Sequence, residues 1–188
     1  MLSKNDMYTL SLYQTVNTIS DKESCKVYMV YNTLDNKPYI KKEIRGYYNI
    51  NTYSRLKEIN DSHVAKMYEA IEGNGCLTVI EEYVHGSPLN SILDEGRIVD
   101  EKTAIGYMMQ LVQALKALHG QKPPIIHRDI KPSNIMITSE GVLKLIDFNA
   151  AKIYVDNVIE DTVTLGTKSY AAPEQFGYKK VDTRTDIY

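Results

Sequence analysis

One eight-residue stretch, followed by a single acidic residue, constrains this 188-residue chain more than any other feature. The stretch runs from His127 to Asn134 and reads H-R-D-I-K-P-S-N, and Asp147 comes shortly after it. The carboxylate of Asp129 can accept the proton of an attacking hydroxyl, and the ammonium of Lys131 can neutralise charge on a moving phosphoryl group. Asn134 and Asp147 supply oxygen ligands for metal ions that bridge phosphates. Each residue alone is common in loops, but the complete set predicts phosphoryl transfer.

The stretch resembles the catalytic loop of eukaryotic-type (Hanks-type) Ser/Thr protein kinases, which reads H-R-D-x-K-P-x-N. Residues 166–174 read G-T-K-S-Y-A-A-P-E and resemble the segment G-T-x-x-Y-x-A-P-E of the same family. Kinases of small molecules usually lack that segment, so the resemblance implies a protein substrate. Lys131 together with Thr167 implies transfer to Ser or Thr rather than to Tyr. We expect a bacterial member of the family.

The resemblance also implies the roles of individual residues, with ATP as the phosphoryl donor and Mg²⁺ as the metal. Arg128 would receive a phosphate from the activation loop, in which Thr162 and Thr164 are candidate phosphorylation sites. Those two threonines are equally well interpreted as ordinary loop residues. The implied catalytic residues are Asp129, Lys131, Asn134, Asp147 and Lys42, of which Asn134 and Asp147 would hold the metal.

The expected adenine site is formed by residues far apart in the sequence. The segment Glu82-Tyr83-Val84 resembles the hinge of the family, where backbone groups bind adenine. By the same alignment, Val27 would cover the adenine from above and Met136 from below. Glu82 and Val84 are therefore predicted to bind the cofactor.

Two adjacent lysines compete for the role of the strand lysine, which contacts the nucleotide phosphates in this family. Side chains alternate between the two faces of a strand. If Lys42 faces the nucleotide, apolar Ile40 shares its face, whereas if Lys41 does, Glu43 must enter the core. The pattern favours Lys42 and leaves Lys41 as the alternative.

Three positions depart from the family pattern. The loop that covers the phosphates should contain G-x-G-x-x-G, but residues 20–25 read S-D-K-E-S-C and contain no glycine. Lys22 is an alternative phosphate contact there, or a plain surface lysine. Thr52 stands where a helix glutamate should pair with the strand lysine. Asn149 replaces the usual glycine after Asp147-Phe148, a mild change because Asn tolerates left-handed backbone.

Glu81 falls at the gatekeeper position at the back of the nucleotide pocket, where the family has an apolar or hydroxyl side chain. Burying a carboxylate there is costly unless it is paired. We therefore expect Glu81 to replace the missing helix glutamate as the anion that orients Lys42. A shift of one residue, which would place Glu81 at a solvent edge, is the alternative.

The resemblance implies an α+β, two-lobe protein-kinase fold. Residues 1–84 would form the β-rich N-lobe and hinge, and residues 85–188 a partial, mainly helical C-lobe. Asp186 would lie at the start of the central helix of that lobe and bond the backbone near His127. The lobe would be truncated after Tyr188, which would expose apolar surface and favour self-association.

Helix signals in the second half are specific enough to test. Ser87-Pro88 is expected to cap and open a short helix that runs through Leu93. Asp100 is expected to cap a longer helix, whose apolar residues recur at helical spacing up to Leu118. The pair Met108-Met109 in that helix is interpreted as core packing.

Composition excludes several classes of function. The net charge of −2 gives no sign of a nucleic-acid-binding surface. No apolar run approaches the roughly 20 residues that span a bilayer. Cys25 and Cys76 are too few for a disulfide framework, which predicts a cytoplasmic protein.

The leading hypothesis is an ATP- and magnesium-dependent Ser/Thr protein kinase, of which these 188 residues form an inactive or weakly active fragment. The alternative is a pseudokinase-like module that binds a nucleotide or a protein without turnover. The missing glycines, Thr52 and the missing lower helices favour the alternative. The complete set of catalytic-loop residues opposes it.

Overall fold

The computed structural model describes residues 2–96, 98–154, 167–177 and 180–188. The chain divides into two compact units, each described here by itself. The first comprises Met1–Asn60 and Ala65–Tyr83, and the second comprises Asp61–Val64 and Val84–Tyr188. Helices and strands occur in both units, which confirms the predicted α+β class.

The first unit is built on a five-stranded antiparallel sheet with the strand order β1-β2-β3-β5-β4. The elements are α1 (Lys4–Ser11), β1 (Tyr13–Lys22), β2 (Cys25–Asn32), β3 (Pro38–Ile44), α2 (Ile50–Leu56), β4 (Met67–Gly73) and β5 (Cys76–Glu82). Helix α1 has no counterpart in the sequence-based expectations, although Ser3 and Asp6 cap its start reciprocally.

One face of this sheet carries a buried aromatic and aliphatic cluster. Val30 and Ile80 are fully buried there beside Tyr39. The hydroxyl of Tyr39 donates to the Asp35 carboxylate over 2.5 Å, and this bond is the main reason why the pKa of Tyr39 is well above its usual value. Because side chains alternate along a strand, Ile40, Lys42 and Ile44 lie on the other face of β3.

The second unit combines one long helix with two small sheets. Its strands are ordered β6-β8-β9 in one sheet and β10-β7 in the other. The elements are β6 (Gly86–Pro88), α3 (Leu89–Asp94), α4 (Glu101–His119), β7 (Ile125–Ile126), β8 (Ile135–Thr138), β9 (Leu143–Leu145) and β10 (Lys152–Ile153), with 3₁₀ turns at Pro132–Asn134, Pro173–Phe176 and Thr183–Ile187.

Helix α4 confirms its predicted cap and only part of its predicted core. The Asp100 side chain accepts a hydrogen bond from the Thr103 backbone N–H, as expected of an N-cap. The helix packs on β7 and β9, and its buried residues all lie between Leu111 and Leu118. Met108 and Met109 precede these residues and are each 59% exposed, so their interpretation as core packing was wrong. Self-association through this face stays a prediction.

The interpretation of Ser87-Pro88 as a helix start was also wrong. Gly86, Ser87 and Pro88 form strand β6, which pairs with β8, and the helix begins only at Leu89. A Cβ atom on Gly86 would lie 2.3 Å from the backbone oxygen of Ile137, so only glycine permits this close approach. Pairing with β8 thus overrides the local capping signal.

The two compact units divide the chain differently from the predicted boundary after residue 84. Residues 61–64 and Val84, which were expected in the first part, belong to the second unit. The backbone oxygen of His63 accepts from the Leu145 N–H over 2.8 Å, and the His63 ring bonds the Leu143 oxygen over 2.9 Å. These bonds tie the segment to β9.

Within the described ranges, no helix is both long and apolar enough to span a membrane.

Candidate active site

The two competing lysines of β3 lie on opposite faces of the first unit's sheet. Lys42 lies opposite Val27 of β2 and Val79 of β5. Its ammonium Nζ is 3.1 Å from Oε2 of Glu81, and both side chains are buried. The ion pair expected from the sequence is therefore present.

Lys41 has different surroundings. Its ammonium pairs with Glu43 over 2.8 Å and lies 5.6 Å from the centre of the Tyr28 ring. Tyr28 lies directly opposite Lys41 on β2, and Glu43 lies two residues further along β3, so both partners share the face of Lys41. Lys42 instead shares its face with Ile40 and Val27, as the alternation predicts. The role of Lys42 in phosphate binding stays a prediction.

Helix α2 carries no acidic residue that could pair with a lysine. Its seven residues read I-N-T-Y-S-R-L, and Thr52 is fully buried among them. The helix packs on β4. A carboxylate of this unit that orients Lys42 must therefore lie outside α2.

The expected phosphate-covering loop is a tight hairpin between β1 and β2. Lys22 pairs with Cys25, which leaves only Glu23 and Ser24 in the turn. A 2.7 Å ion pair between Lys26 and Asp21 closes the strands just behind it. The hairpin presents side chains rather than glycine backbone at its tip, so phosphates cannot approach the main chain as closely as in a glycine loop.

The predicted adenine-binding residues fall in both units. In the first unit, the Glu82 carboxylate accepts from the Lys66 backbone N–H over 3.0 Å. In the second unit, Val84 is buried, and Met136 is half-buried on β8, opposite Pro88. Their part in adenine binding stays a prediction.

The second unit gathers the motif residues around the carboxylate of Asp129. Its Oδ2 accepts from the Lys131 ammonium over 2.7 Å and from the Asn134 amide over 2.9 Å. Its Oδ1 accepts from both the backbone N–H and the hydroxyl of Thr167, at 3.1 and 2.9 Å. Three residues from different parts of the sequence therefore meet at one carboxylate.

Thr167 and Lys131 are joined directly as well. The lysine ammonium donates to the threonine hydroxyl over 2.6 Å, so the two contact each other and Asp129 at once. A threonine hydroxyl that donates to a carboxylate while accepting from an ammonium has its hydrogen bonds satisfied in one orientation. These contacts place a hydroxyl next to a carboxylate that can accept a proton.

Asn134 is oriented by the two bonds that its amide nitrogen donates. These run to the backbone oxygen and to Oδ2 of Asp129, each over 2.9 Å. Because the nitrogen is committed to Asp129, the amide oxygen is the atom left for a cation. The Asn134 backbone oxygen accepts from Ile146 over 2.9 Å, which fixes the chain just before Asp147.

The backbone is strained at two of the motif residues. Arg128 has φ 66° and Asp147 has φ 64°, both in the left-handed region that residues with a Cβ atom rarely adopt. Such strain persists only where the surrounding contacts hold it.

The carboxylate of Asp186 supplies those contacts for Arg128. Its Oδ1 accepts from the Arg128 N–H over 2.7 Å, and its Oδ2 accepts from the His127 N–H over 2.8 Å. The His119 ring nitrogen is also 2.8 Å from Oδ2. The bond from Asp186 to the backbone near His127, expected from the sequence, is confirmed.

Arg128 makes hydrogen bonds through both its side chain and its backbone. Its Nε donates to the Ala150 oxygen over 2.6 Å, and its own backbone oxygen accepts from Gln175 over 2.8 Å. The side chain is buried. The regulatory role expected for Arg128 stays a prediction, and its proposed partners Thr162 and Thr164 lie outside the described residues.

His127 is fully buried and packs edge-on against Phe148, with the ring centres 5.1 Å apart. Its Nε2 lies 3.2 Å from the Ile146 oxygen. Burial lowers the pKa of His127 below its usual 6.5, and this effect outweighs the nearby carboxylates of Asp186, Asp147 and Asp129. The ring therefore serves as a neutral support beneath the loop.

Sequence reasoning missed two supporting residues. Gln175 is buried and bridges the Arg128 oxygen to the Ala172 N–H, at 2.8 and 3.0 Å. His119, in the last turn of α4, reaches Asp186 across 67 positions of sequence. Neither carries a local signal, because both act through partners distant in the chain.

Comparison with known proteins agrees with this geometry. A model of the protein kinase domain matches residues 13–188. The chain belongs to the protein kinase family. A probable serine/threonine-protein kinase of Clostridium acetobutylicum is 34% identical over 136 residues, covering 72% of this chain and 20% of that relative.

Two further relatives show how widely the similarity extends. A probable serine/threonine-protein kinase of Clostridium perfringens is 39% identical over 111 residues, covering 58% of this chain and 16% of the relative. A dual specificity mitogen-activated protein kinase kinase of Drosophila melanogaster is 31% identical over 155 residues, covering 82% of this chain and 37% of the relative. This kinase chain thus spans between 16% and 37% of the length of these three relatives.

We expect Asp186→Asn to destabilise the protein by about 3 kcal/mol, because an amide cannot accept from all three donors and leaves a buried N–H without a partner. Denaturant unfolding followed by circular dichroism measures the loss. Asp182→Asn is the matched control, because Asp182 begins the same 3₁₀ turn as its cap and an asparagine caps equally well. Equal loss in the two variants would contradict the role given to Asp186.

We expect part of the protein's stability to disappear as the pH falls from about 7 to about 5. The unfolded histidine gains a proton below its usual pKa of 6.5 while buried His127 stays neutral, so protonation favours unfolding. This contribution reaches up to about 1.4 kcal/mol per pH unit.

His127→Gln should reduce this pH dependence, because glutamine does not take up a proton. Unfolding midpoints measured across the pH range make the comparison. An unaltered slope in His127→Gln would contradict the account.

Proposed function

We propose that the protein transfers the terminal phosphoryl group of Mg-ATP to Ser or Thr hydroxyls of protein substrates. The observation that carries the proposal is the set of contacts at Asp129. Its carboxylate accepts hydrogen bonds from Lys131, Asn134 and Thr167 over 2.7–3.1 Å, and Lys131 also donates to the Thr167 hydroxyl over 2.6 Å. Family membership and the names of the relatives support the same reaction.

Asp129 would orient the substrate hydroxyl and accept its proton. The 2.9 Å bond from the Thr167 hydroxyl to Oδ1 supports this role, because it places a hydroxyl at a distance suited to proton transfer. Lys131, beside Oδ2, would offset negative charge as the phosphoryl group moves. Positioning and charge, rather than a covalent intermediate, would carry the catalysis.

Asn134 and Asp147 fit a magnesium ion by the chemistry of their donors. Both offer hard oxygen atoms, and the Asn134 amide oxygen is the one left by the bonds of its nitrogen. Across the described ranges, no group of three or more His, Cys, Asp or Glu is placed to hold a metal by itself. Phosphate oxygens and water would therefore complete the ligand set. When bound, Mg²⁺ would neutralise charge on the phosphates.

Lys42 would contact the phosphates of the nucleotide, and Glu82 and Val84 would contribute backbone groups to adenine binding, with Val27, Ile40 and Met136 as apolar neighbours. Burial of the Lys42 ammonium beside Glu81 supports its assignment over Lys41. The cytoplasmic location, the bacterial source and the weak or absent activity of this 188-residue chain stay predictions.

The second candidate function is a binding module without turnover. The glycine-free turn at Glu23 and Ser24 favours it, because side chains at that tip hinder close approach of the phosphates. The two candidates differ in whether Asp129 performs chemistry.

We expect Mg-ATP to stabilise the protein more than ATP with EDTA, because the metal links the phosphates to Asn134 and Asp147. At a hundredfold excess of ligand over Kd, thermal-shift measurements should show about 2.7 kcal/mol of added stability. Asp147→Asn should remove most of the metal dependence, while Asp94→Asn on the surface of α3 should retain it. Equal stabilisation with and without metal would favour the binding module.

We expect Asp129→Asn to separate binding from chemistry. The substitution keeps the shape of the side chain but removes the proton acceptor, so Mg-ATP should bind nearly as in the wild type. Transfer from labelled ATP to a Ser/Thr peptide should fall by roughly 10²–10⁴-fold. Wild-type protein that binds Mg-ATP without any transfer, or a variant that transfers at the wild-type rate, would contradict the proposed catalytic role.

A further inference from the structure

We infer that Glu81 is the positioning residue for Lys42: from inside the sheet, it holds the lysine ammonium where nucleotide phosphates bind. The inference rests on the proposed function and deepens it, because it makes Glu81 the reason why this site prefers a nucleotide with phosphates to a nucleoside.

The geometry of the sheet brings the two side chains together. On adjacent antiparallel strands, Lys42 lies directly opposite Val79, and Glu81 lies two residues further along β5. A residue and its diagonal neighbour share a face and lie within reach of long side chains. The 3.1 Å contact is therefore set by the hydrogen-bonded register of β3 and β5.

The pair is almost completely removed from water. Lys42 is 6% exposed and Glu81 is 4% exposed. On the same face of β3 and β5 their neighbours are apolar, namely Ile40, Ile44, Leu77 and Val79. Apolar residues of similar volume would stabilise such a position equally well or better. Stability alone therefore does not explain two opposite charges here, whereas a lysine held for an anionic ligand does.

Glu81 orients Lys42 independently of helix α2. Helix α2 has no acidic residue, and Thr52 stands at the position where one would pair with the lysine. Glu81 is part of the same sheet as Lys42, so the ammonium is oriented without any movement of α2. Lys42 is thus prepared for phosphates before the nucleotide arrives.

A double-mutant cycle with two ligands tests the inference. Isothermal titration gives Kd for Mg-ATP and for adenosine in the wild type, Glu81→Gln, Lys42→Met and the double variant. Glu81→Gln should weaken Mg-ATP on the order of tenfold and change adenosine by less than about twofold. In the double variant, Mg-ATP should bind no more weakly than in Lys42→Met alone, because Glu81 acts through the lysine.

The matched control is Glu43→Gln, which removes the charge of a glutamate paired with a neighbouring lysine over 2.8 Å on the opposite face of β3. Both Kd values should remain at the wild-type level in this variant. If Glu81→Gln does not fold, Glu81→Asp takes its place, since it keeps the charge and shortens the side chain. Glu81→Asp should weaken Mg-ATP by roughly threefold and leave adenosine unchanged.

The outcomes distinguish this inference from the proposed function. Wild-type protein that binds neither ligand would overturn the proposed function, and the positioning role with it. If the wild type prefers Mg-ATP to adenosine, three results would each overturn the positioning role alone. These are an equal loss of both ligands in Glu81→Gln, an unchanged affinity for both, and additive effects of Glu81→Gln and Lys42→Met.

Discussion

The second unit depends on one buried carboxylate, that of Asp186. It accepts the backbone N–H groups of His127 and Arg128 and contacts the His119 ring. Together with the bonds of Arg128 to Ala150 and Gln175, these bonds compensate for the strain of its left-handed backbone. Asp129 follows Arg128 directly, so an acid 57 positions away holds the backbone that leads to the proposed catalytic carboxylate.

A second buried carboxylate performs a comparable task in the first unit. Glu81 holds the Lys42 ammonium, whereas Asp186 holds backbone N–H groups. Both rely on the same principle: a charge removed from water interacts strongly with the few partners that its surroundings permit. In each unit, the group proposed to act on phosphate or hydroxyl is oriented by a carboxylate that would itself touch neither. Each group is thereby oriented at the cost of burying charge.

Local patterns predicted what local geometry decides. The alternation of side chains along a strand predicted that Lys42 and Lys41 lie on opposite faces. The family alignment predicted the ion pair between Glu81 and Lys42, which the structure contains. The same reasoning failed where pairing with a distant segment decides the outcome. Ser87 joins a strand because β8 lies beside it. Met108 is exposed because the buried residues of α4 begin only at Leu111, which helical spacing alone cannot reveal.

We expect Asp186 to hold the backbone from His127 to Asp129 in place before any ligand binds. Hydrogen exchange resolved by NMR tests it directly through the His127 and Arg128 amides, both of which donate to that carboxylate. Without nucleotide, we expect them to exchange as slowly as amides paired within the sheet formed by β8 and β9. Exchange as fast as that of exposed turn amides, such as those at Ser139 and Glu140, would contradict the claim.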